Sequence, residues 1–469
     1  MKKKFRCSVN VKAILMLALF TFLFLGIEYL FVNILSLTET GERVVLAQNY
    51  VLGISAVGFL SYPLVHRFLN RKFRSIAACV SVLIAVLCIF MILRHFSYTA
   101  TLGVGMALFL FLGLYGSAAH YRFIQMLGNT DCLARTVGIS YALGILLQFL
   151  NNNLVRFALA ECIILSVFVM VLLALLLRAE RVHSEDDEPC AVPVSSSPGK
   201  NRNRIAAGIL LAVMVMLMAC IFSTLDNAVT ISHAAGTDIG KWPRLLLAAS
   251  GLAAGFIFDI QKRRFMNIIM YCVMMLSVLC IVILKLGGPF HVGLMFFYLS
   301  SGFFVVFFTA GFMELSLNMR VPELWAGMGR AVNNACAAAL TGFSVAMLAS
   351  GDSLIIIIVA LALFVAVSIV IAVYTLLSPA KAQPVQELAV GLTPEETLAA
   401  IAEQFSLTPR EADVLDKLVN SEESIQEIAD SLYLSRRTCQ RYISAIYEKT
   451  GVKSRVGLYQ MYTSPPHNA

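Results

Sequence analysis

The stretch LIIIIVALALFVAVSIVIAVYTLL, residues 354–377, decides the fold class of most of this chain. It carries no charged residue and is longer than the roughly 20 residues that an α-helix needs to cross the hydrocarbon core of a bilayer. Apolar stretches of this kind recur towards the N-terminus, and the chain of 469 residues is 59% hydrophobic and only 14% charged. A soluble globular protein would have to expose much of that apolar surface, so the sequence predicts a membrane protein.

Working back from residue 354, we predict about twelve membrane-spanning helices in an all-α fold. The strong candidates lie at 13–31, 76–93, 102–116, 158–177, 205–222, 267–284 and 354–377, and weaker ones lie near 47–66, 136–150, 244–260, 291–312 and 327–349. The basic start at residues 1–6 is typical of a signal peptide, but the apolar run after it is long and shows no small-residue cleavage site. We interpret it as a retained first helix.

A hydrophilic stretch at 178–204 lies in the middle of the predicted membrane domain, residues 1–377. Its acidic, Ser, Pro and Gly residues predict a flexible loop. This loop divides the membrane domain into two halves of about six helices each, near 1–180 and 204–377.

Each half has a basic cluster after its second predicted helix, HRFLNRK at 66–72 and GFIFDIQKRR at 255–264. These clusters resemble the Gly-x-x-x-Asp-Arg-x-Gly-Arg-Arg loop of the major facilitator superfamily, and the resemblance implies that family's six-plus-six fold over residues 10–378. The first cluster has His66 where the family has Asp and is one residue longer, and the second lacks the Arg and Gly in the middle of the motif. Short cytoplasmic loops are basic in many membrane proteins, which is the alternative interpretation of both clusters.

The distribution of basic residues predicts the orientation of the chain. With a cytoplasmic N-terminus, the inward segments hold 21 Lys and Arg residues, Arg330 among them, and the outward segments hold six, Arg244 among them. Cytoplasmic loops carry such an excess, and an even number of spans returns the C-terminus to the same side. We therefore predict a multi-pass protein of the bacterial inner (cytoplasmic) membrane, with the lipid bilayer as a partner and both termini in the cytoplasm.

The composition becomes polar after Leu377. Residues 378–405 are predicted to form a linker with a short amphipathic helix, which opens at the capped sequence Thr393-Pro394-Glu395-Glu396. The apolar face of this helix carries Leu398, Ile401, Ala402 and Phe405. Such a face is expected to pack on the next domain or on a second copy of itself.

Residues 406–463 predict four short helices. Their ends are marked by the capping boxes Thr408-Pro409-Arg410-Glu411 and Ser424-Ile425-Gln426-Glu427, by the caps Ser435 and Ser454, and by the terminating Gly451. The second and third helices are separated only by the tight turn Tyr433-Leu434. This arrangement predicts a helix-turn-helix.

The third helix has a polar face suited to a DNA groove. Arg437, Gln440, Arg441 and Ser444 are spaced i, i+3, i+4 and i+7, which places their side chains in a row. Residues 408–430 carry a net charge of −5 and residues 435–455 a net charge of +5, so one side of the domain repels phosphate and the other attracts it. The alternative, a merely solvated face, usually mixes the two signs.

Residues 405–463 resemble the LuxR (FixJ/NarL-type) family of DNA-binding domains. The matching residues are Thr408-Pro409-Arg410-Glu411, Val414-Leu415, Glu427-Ile428-Ala429, Leu432, Leu434-Ser435, Thr438, Ile446, Lys449, Gly451-Val452 and Ser454-Arg455. The departures are Cys439 for the usual Val, Tyr442 for His, Thr450 for Leu, and residues 420–423 where a turn with Gly is common. These departures concern details of docking on DNA.

The LuxR resemblance implies double-stranded promoter DNA as a partner and a homodimer on that DNA. It implies that Gln440, Arg441 and Ser444 read base edges. The implied phosphate contacts are Arg436, Arg437, Thr438, Lys453 and Arg455. Their charge and their positions at helix ends favour the same role.

Carboxyl groups within predicted spans are costly in lipid and therefore mark candidate sites. Glu28 in the first span and Asp226 near the end of the seventh correspond under the six-plus-six repeat. We expect them to face one central cavity, where either binds a cationic ligand or a proton. Glu314 lies near the cytoplasmic end of the tenth span. The alternative is that each carboxyl lies near a helix end or pairs with a neighbour such as Asn227.

The sequence contains no Cys-x-x-Cys spacing, metal-ligand cluster, phosphate-binding loop or nucleophile motif. We therefore predict no metal, no cofactor, no catalytic residue and no enzyme activity. The favoured hypothesis is a membrane-anchored one-component transcriptional regulator that senses an unidentified small-molecule ligand or the membrane state. The alternative is a secondary transporter of the major-facilitator type with an appended regulatory DNA-binding tail, and a third interpretation is a tail that binds protein.

Overall fold

The computed structural model describes residues 11–94, 96–127, 130–185, 198–234, 242–285, 287, 290–350, 352–377, 398–399, 401–403, 405–421, 423–452 and 454–463. Among these residues all regular secondary structure is helical. The chain divides into two compact units, Met1–Ala380 and Lys381–Ala469. Each unit has its own hydrophobic core.

The first unit is a bundle of long helices. Its first half contains α1 (Val11–Ser36), α2 (Gly41–Phe68), α3 (Arg71–Arg94), α4 (Tyr98–Met126), α5 (Leu133–Leu154) and α6 (Ala158–Glu185). Its second half contains α7 (Pro198–Ala234), α8 (Trp242–Phe258), α9 (Met266–Lys285), α10 (Phe290–Ser316), the short α11 (Pro322–Ala326), α12 (Met328–Ser350) and α13 (Ser353–Leu377).

The number of membrane spans agrees with the sequence. Ten of the described helices are long and apolar enough to cross a membrane, and α8 and α9 contain shorter apolar stretches at Arg244–Phe258 and Met266–Leu279. The predicted all-α polytopic bundle of about twelve helices is confirmed.

The outer helices of the bundle present apolar side chains to their surroundings. Leu83 on α3 is 69% exposed, and Leu354 on α13 is 66% exposed. A soluble protein rarely leaves so much aliphatic surface uncovered, whereas lipid tails cover it at no cost. Helix α1 is buried within the first half, and the two halves meet mainly through α5 with α8 and α2 with α12.

The two halves approach most closely where α5 of the first half crosses α8 of the second. A Cβ atom on Gly138 would lie 2.8 Å from the Cα atom of Gly255, and one on Gly255 would lie 2.8 Å from the carbonyl oxygen of Ala134. No side chain larger than hydrogen fits at either position. Small residues let membrane helices pack backbone against backbone, so these two glycines set how closely the halves meet.

The hydrophilic stretch at 178–204, which was predicted to be a flexible loop, is partly helical. Helix α6 continues to Glu185 and α7 begins at Pro198, whereas residues 186–197 lie outside the described part of the chain. The Ala, Arg and Glu residues after Arg178 have high helix propensity and extend α6. Pro198 suits the first turn of a helix, because its fixed φ is helical and its missing N–H would have had no partner there.

From residue 405 onwards, the described part of the second unit contains the helices α14 (Pro409–Asn420), α15 (Ile425–Ser431), α16 (Arg436–Thr450) and α17 (Arg455–Thr463). Both predicted capping boxes are formed, and Thr408 illustrates them: its backbone N–H donates to Glu411 Oε2 at 2.7 Å, and its Oγ1 accepts from the Glu411 N–H at 3.4 Å. Gly451 ends α16 with a φ of +70°. The predicted helix boundaries are therefore confirmed.

The core of this unit joins all four helices. Its buried members are Ile401, Val414, Leu415, Leu418, Val419, Ile428, Ala429, Cys439, Ile443, Ile446 and Leu458. Residues 398–399 and 401–403 are helical, and the burial of Ile401 shows that the predicted linker helix packs on this domain. Its predicted opening at 393–396 lies outside the described residues.

Candidate DNA-binding surface and membrane cavity

The turn between α15 and α16 sets the direction of α16. The Leu434 N–H donates to the carbonyl of Ala429 at 2.8 Å, which closes α15. Tyr433 adopts a φ of +55° in this turn and is 97% exposed. Ser435 then caps α16 by accepting from the Thr438 N–H at 3.2 Å. The turn is thereby held by backbone hydrogen bonds and a side-chain cap.

Helix α16 has one buried and one exposed face. Cys439, Ile443 and Ile446 lie in the core. The opposite face carries Arg437, Gln440, Arg441 and Ser444, and all four are exposed. The predicted row of groove-facing side chains therefore lies on the surface, with the guanidinium of Arg441 5.7 Å from the ring of Tyr442.

The predicted phosphate contacts have different environments. Arg436 and Arg437 are exposed in the first turn of α16. Thr438 is half-buried, and its Oγ1 lies 2.8 Å from the Oγ of Ser435. Lys453 lies outside the described residues.

Arg455, which is also predicted to contact phosphate, donates three hydrogen bonds to backbone carbonyls of its own domain. Its Nε donates to the carbonyl of Leu418 at 2.8 Å, its Nη1 to the carbonyl of Glu423 at 2.7 Å, and its Nη2 to the carbonyl of Ser421. These carbonyls lie at and after the end of α14, where a helix leaves its last carbonyls without intrahelical partners. These hydrogen bonds predict a structural role for Arg455, and its contact with phosphate stays a prediction.

Lys449 is a second basic residue of this segment whose side chain binds other residues of the domain. Its Nζ donates to Glu411 Oε2 at 2.7 Å and to the carbonyl of Ser406 at 3.2 Å. The ion pair joins α14 to α16. Lys449 and Arg455 thus both bind residues of their own domain. The exposed described arginines near the start of α16 are Arg436, Arg437 and Arg441. The basic surface open to DNA is therefore narrower than the net charge of +5 suggests.

The Glu411–Lys449 pair predicts an acid-sensitive domain. The hydrogen bond from Lys449, together with that from the Thr408 backbone, lowers the pKa of the Glu411 carboxyl below its ordinary value of 4.5. A lowered folded-state pKa stabilises the fold above the unfolded pKa, and this contribution is lost as the pH falls through the folded value. We expect the pair to contribute about 1 kcal/mol to the free energy of unfolding at pH 7. This contribution should decrease below about pH 4.5, as Glu411 becomes protonated.

Urea unfolding of a fragment of residues 381–469, followed by circular dichroism between pH 7 and pH 3, measures this contribution. Glu411→Gln keeps the shape of the side chain but removes its charge, so it should lower the stability at pH 7 and flatten the acid limb. Identical pH profiles for the two proteins would contradict the assignment.

The first unit contains a cavity of about 170 Å³ between its two halves. The first half contributes lining residues from α1, α2 and α5, and the second half from α7, α8, α10 and α12. Both predicted carboxylates, Glu28 and Asp226, line this cavity. Glu28 Oε1 accepts a hydrogen bond from Gln48 Nε2 at 2.7 Å.

Two arginines also line the cavity. Arg244 and Arg330 both line it, although they were counted with the outward and inward segments. Arg330 is buried in the first turn of α12 and packs against the rings of Phe24 and Phe308. Sequence alone could have indicated this position for Arg330, because the residue falls inside the predicted span 327–349 and a charge within a span marks a functional position.

Glu314 belongs to a separate ion-pair cluster. Arg263 Nε donates to Glu314 Oε2 at 2.9 Å, and Arg263 Nη1 donates to Asp259 Oδ1 at 3.2 Å. Asp259 also accepts from the backbone N–H groups of Ala134 and Arg135 at 3.1 and 2.7 Å. The basic cluster at 255–264 therefore ties the end of α8 to the start of α5 in the other half.

The basic cluster at 66–72 makes a similar contact between the halves. Arg67 Nη2 donates to Glu323 Oε2 at 3.2 Å, and His66 Nδ1 lies 3.5 Å from Glu323 Oε1. Glu323 belongs to α11 in the second half. His66, which departs from the family motif, thus faces a carboxylate of the other half.

A further contact between the halves joins the C-terminal ends of α1 and α7. The ring nitrogen Nε2 of His233 lies 2.8 Å from Asn33 Oδ1, and the ring stacks on Tyr29 at 5.8 Å. Between these levels, Asn49 on α2 donates to Asn227 on α7 at 2.8 Å. Polar contacts between the halves therefore lie towards both ends of the bundle, with the cavity between them.

Comparison with known proteins supports both units separately. Residues 405–462 match the sequence profile of the bacterial regulatory proteins of the luxR family. No curated protein sequence matches the chain significantly. The described helix-turn-helix and the profile match together establish a LuxR-type DNA-binding domain at the C-terminal end.

Solved structures resemble the membrane unit. The human organic anion transporter MFSD10 (TETRAN) superposes with a TM-score of 0.52 at 14% identity, covering 79% of this chain and 98% of that one. The Escherichia coli fucose:proton symporter FucP has a TM-score of 0.47 at 14% identity, covering 78% of this chain and 99% of that one. A major facilitator superfamily structure of FucP in the outward conformation gives the same TM-score and identity and covers 79% and 99%. At this identity the likeness concerns the fold, and the MFSD10 match gives the first unit a major-facilitator-like fold.

Proposed function

We propose that this chain is a membrane-anchored one-component transcriptional regulator. In this proposal the transporter-like unit binds a ligand in the cavity between its halves, and the LuxR-type domain binds promoter DNA as a homodimer. Gln440, Arg441 and Ser444 read bases, and Arg436, Arg437, Thr438 and Lys453 hold phosphates. The chain lies in the bacterial inner membrane with both termini in the cytoplasm, where the domain meets the chromosome.

The observation that carries the proposal is the exposed polar face of α16 in a chain whose remaining mass is a membrane bundle. The side chains of Arg437, Gln440 and Arg441 are exposed, and no described residue forms a hydrogen bond with them. Basic and polar side chains near the capped start of an exposed helix are typical of a recognition helix in the major groove of DNA. Because the same chain spans the membrane, it binds DNA while it stays in the bilayer.

In this proposal, the two halves of the membrane unit adopt two arrangements, and the choice between them controls DNA binding. Its halves meet at Arg67–Glu323, at Asp259–Arg135 and at His233–Asn33, with the cavity between these contacts. A ligand that binds better to one arrangement of the halves shifts the population towards it, by at most its difference in affinity. Along the chain, the end of α13 is followed by 20 residues, 378–397, a length of at most about 70 Å if fully extended.

The decisive experiment maps bound DNA across the genome for the full chain and for the fragment 381–469. We expect promoter occupancy by the full chain to change several-fold between growth media, because the membrane unit controls it. The fragment should bind the same promoters in every medium. If promoter occupancy by the full chain were as independent of the medium as that by the fragment, control by the membrane unit would be contradicted.

Two controls accompany this mapping. Asp226→Asn should reduce the dependence on medium while leaving the affinity of the purified protein for DNA within about twofold, since the residue lies far along the chain from the DNA-binding surface. Green fluorescent protein fused after Ala469 should fluoresce, which requires a cytoplasmic C-terminus. Net uptake of a ligand by proteoliposomes, surviving deletion after Leu377, would favour the transporter hypothesis instead.

A further inference from the structure

The cavity between the halves contains charges of both signs. Its carboxylates are Glu28 on α1 and Asp226 on α7, and its guanidinium groups are Arg244 on α8 and Arg330 on α12. A buried charge in a membrane helix is costly unless an opposite charge and hydrogen bonds compensate it. The charges that the protein leaves uncompensated therefore indicate what a ligand supplies.

Arg330 is the most deeply buried of these cations. It is 9% exposed, and among the described residues its Nε has no hydrogen-bond partner. The guanidinium lies 5.6 Å from the ring of Phe24 and 5.3 Å from that of Phe308. Among the described residues, no carboxylate forms an ion pair with it. Glu28 attracts it only from farther away. An anionic group of a ligand would complete this site.

The other three charged groups form a cluster with an excess of negative charge. Glu28, Asp226 and Arg244 all line the cavity, and Gln48 donates a hydrogen bond to Glu28. Two carboxylates and one guanidinium leave a net charge of about −1 when all are ionised. A cationic group of a ligand would complete this cluster.

The two sites lie at different levels of the bundle. Phe24, which packs against Arg330, precedes Glu28 by four residues on α1, a rise of about 6 Å along the helix. The positive site therefore lies about one turn nearer the N-terminus of α1 than the negative cluster. The rings of Phe222 and Phe304, stacked at 4.5 Å, provide an apolar wall of the same cavity.

We propose that the cavity binds a small zwitterion, whose anionic group pairs with Arg330 and whose ammonium group pairs with Glu28 and Asp226. The inference rests on the proposed sensor function and deepens it by naming the class of ligand. The cavity volume of about 170 Å³ limits the ligand to a small molecule. Molecules with only one of the two charges leave one site uncompensated and bind more weakly.

The test uses the full chain in lipid nanodiscs and follows thermal unfolding by intrinsic fluorescence. The probes are the ω-amino acids from glycine to 6-aminohexanoate, each compared with the carboxylate alone and the amine alone of the same length, such as 4-aminobutyrate, butyrate and butylammonium. At least one amino acid should raise the Tm by about 3 °C or more at saturating concentration. Its two singly charged analogues should raise the Tm by less than a third of that shift.

Variants assign the shift to the cavity. Arg330→Gln should abolish it, whereas Arg320→Gln, at an exposed arginine outside the cavity, should preserve it. If Arg330→Gln does not fold, Asp226→Asn provides an independent readout, because it should reduce the discrimination between the zwitterion and the carboxylate alone. No shift with any amino acid, equal shifts with a singly charged analogue, or a shift that persists in Arg330→Gln would overturn the inference.

Occupancy of promoter DNA, measured on the same samples, separates this inference from the proposed function. A zwitterion that binds through Arg330 without changing DNA occupancy supports the ligand class and contradicts the sensor function. A singly charged molecule that changes DNA occupancy equally in wild type and Arg330→Gln supports the sensor function and overturns the ligand class.

Discussion

Arg441→Ala is expected to weaken binding of the protein to its target promoter by about 1–3 kcal/mol, roughly 5- to 150-fold. Arg441 is exposed on α16 in line with Gln440 and Ser444, opposite a face buried in the core. An arginine in this position reaches a guanine edge with two hydrogen bonds, and alanine supplies neither. Because its partner is on the DNA, the free protein should keep its stability.

Binding is best measured by fluorescence anisotropy at fixed salt concentration, on a promoter fragment identified by the genome-wide mapping and on random DNA of equal length. Arg410→Ala is a matched control, since Arg410 is an exposed arginine on the acidic helix α14, 3.9 Å from Asp413. It should leave both affinities unchanged. An equal loss on target and random DNA in Arg441→Ala would show a phosphate contact and contradict the base-reading role.

Arg455→Ala is expected to destabilise the C-terminal domain by about 3 kcal/mol or more. The substitution removes three hydrogen bonds at once and leaves the carbonyls of Leu418, Ser421 and Glu423 without their donor. Each unsatisfied carbonyl in a partly buried position costs about 1–3 kcal/mol, less where water replaces the donor. A domain of this size has little stability to spare, so much of the population should unfold near 37 °C.

Arg455→Lys distinguishes this structural role from a phosphate contact. Lysine keeps the charge but cannot direct three donors to three separate carbonyls, so it should not restore stability. Urea unfolding of the fragment 381–469, followed by circular dichroism, gives the free energy of unfolding for both variants. Wild-type stability with weakened DNA binding in Arg455→Ala, rescued by lysine, would contradict the structural role.

The two predicted groups of DNA-contacting residues differ in how well sequence alone could assign them. Helical periodicity places Arg437, Gln440, Arg441 and Ser444 on one face, and the structure exposes that face. The same pattern could not separate Arg436 from Lys449 and Arg455, whose side chains bind other residues of the domain. Their partners, Glu411 and the end of α14, lie more than 30 residues away along the chain, so no local pattern records the contact.

The membrane cavity shows a similar division. Repeat symmetry suggested that Glu28 and Asp226 face one cavity, and both line it. The charge count, however, treated Arg244 and Arg330 as loop residues, because helix ends are uncertain by several residues and orientation rules read sequence position alone. The contact of Arg67 with Glu323 joins residues 256 positions apart.

The sequence by itself determined the elements of this protein: about twelve apolar helices, the capped helices of a LuxR-type domain, and the polar face of α16. These features follow from local physics, because the thickness of a bilayer, the unpaired N–H groups at a helix start and the 3.6-residue period each act on neighbouring residues. The tertiary structure alone decided which charges are used within the protein and which remain for a partner. That choice depends on the residues that packing brings together, and in both units the deciding partners come from helices distant in sequence.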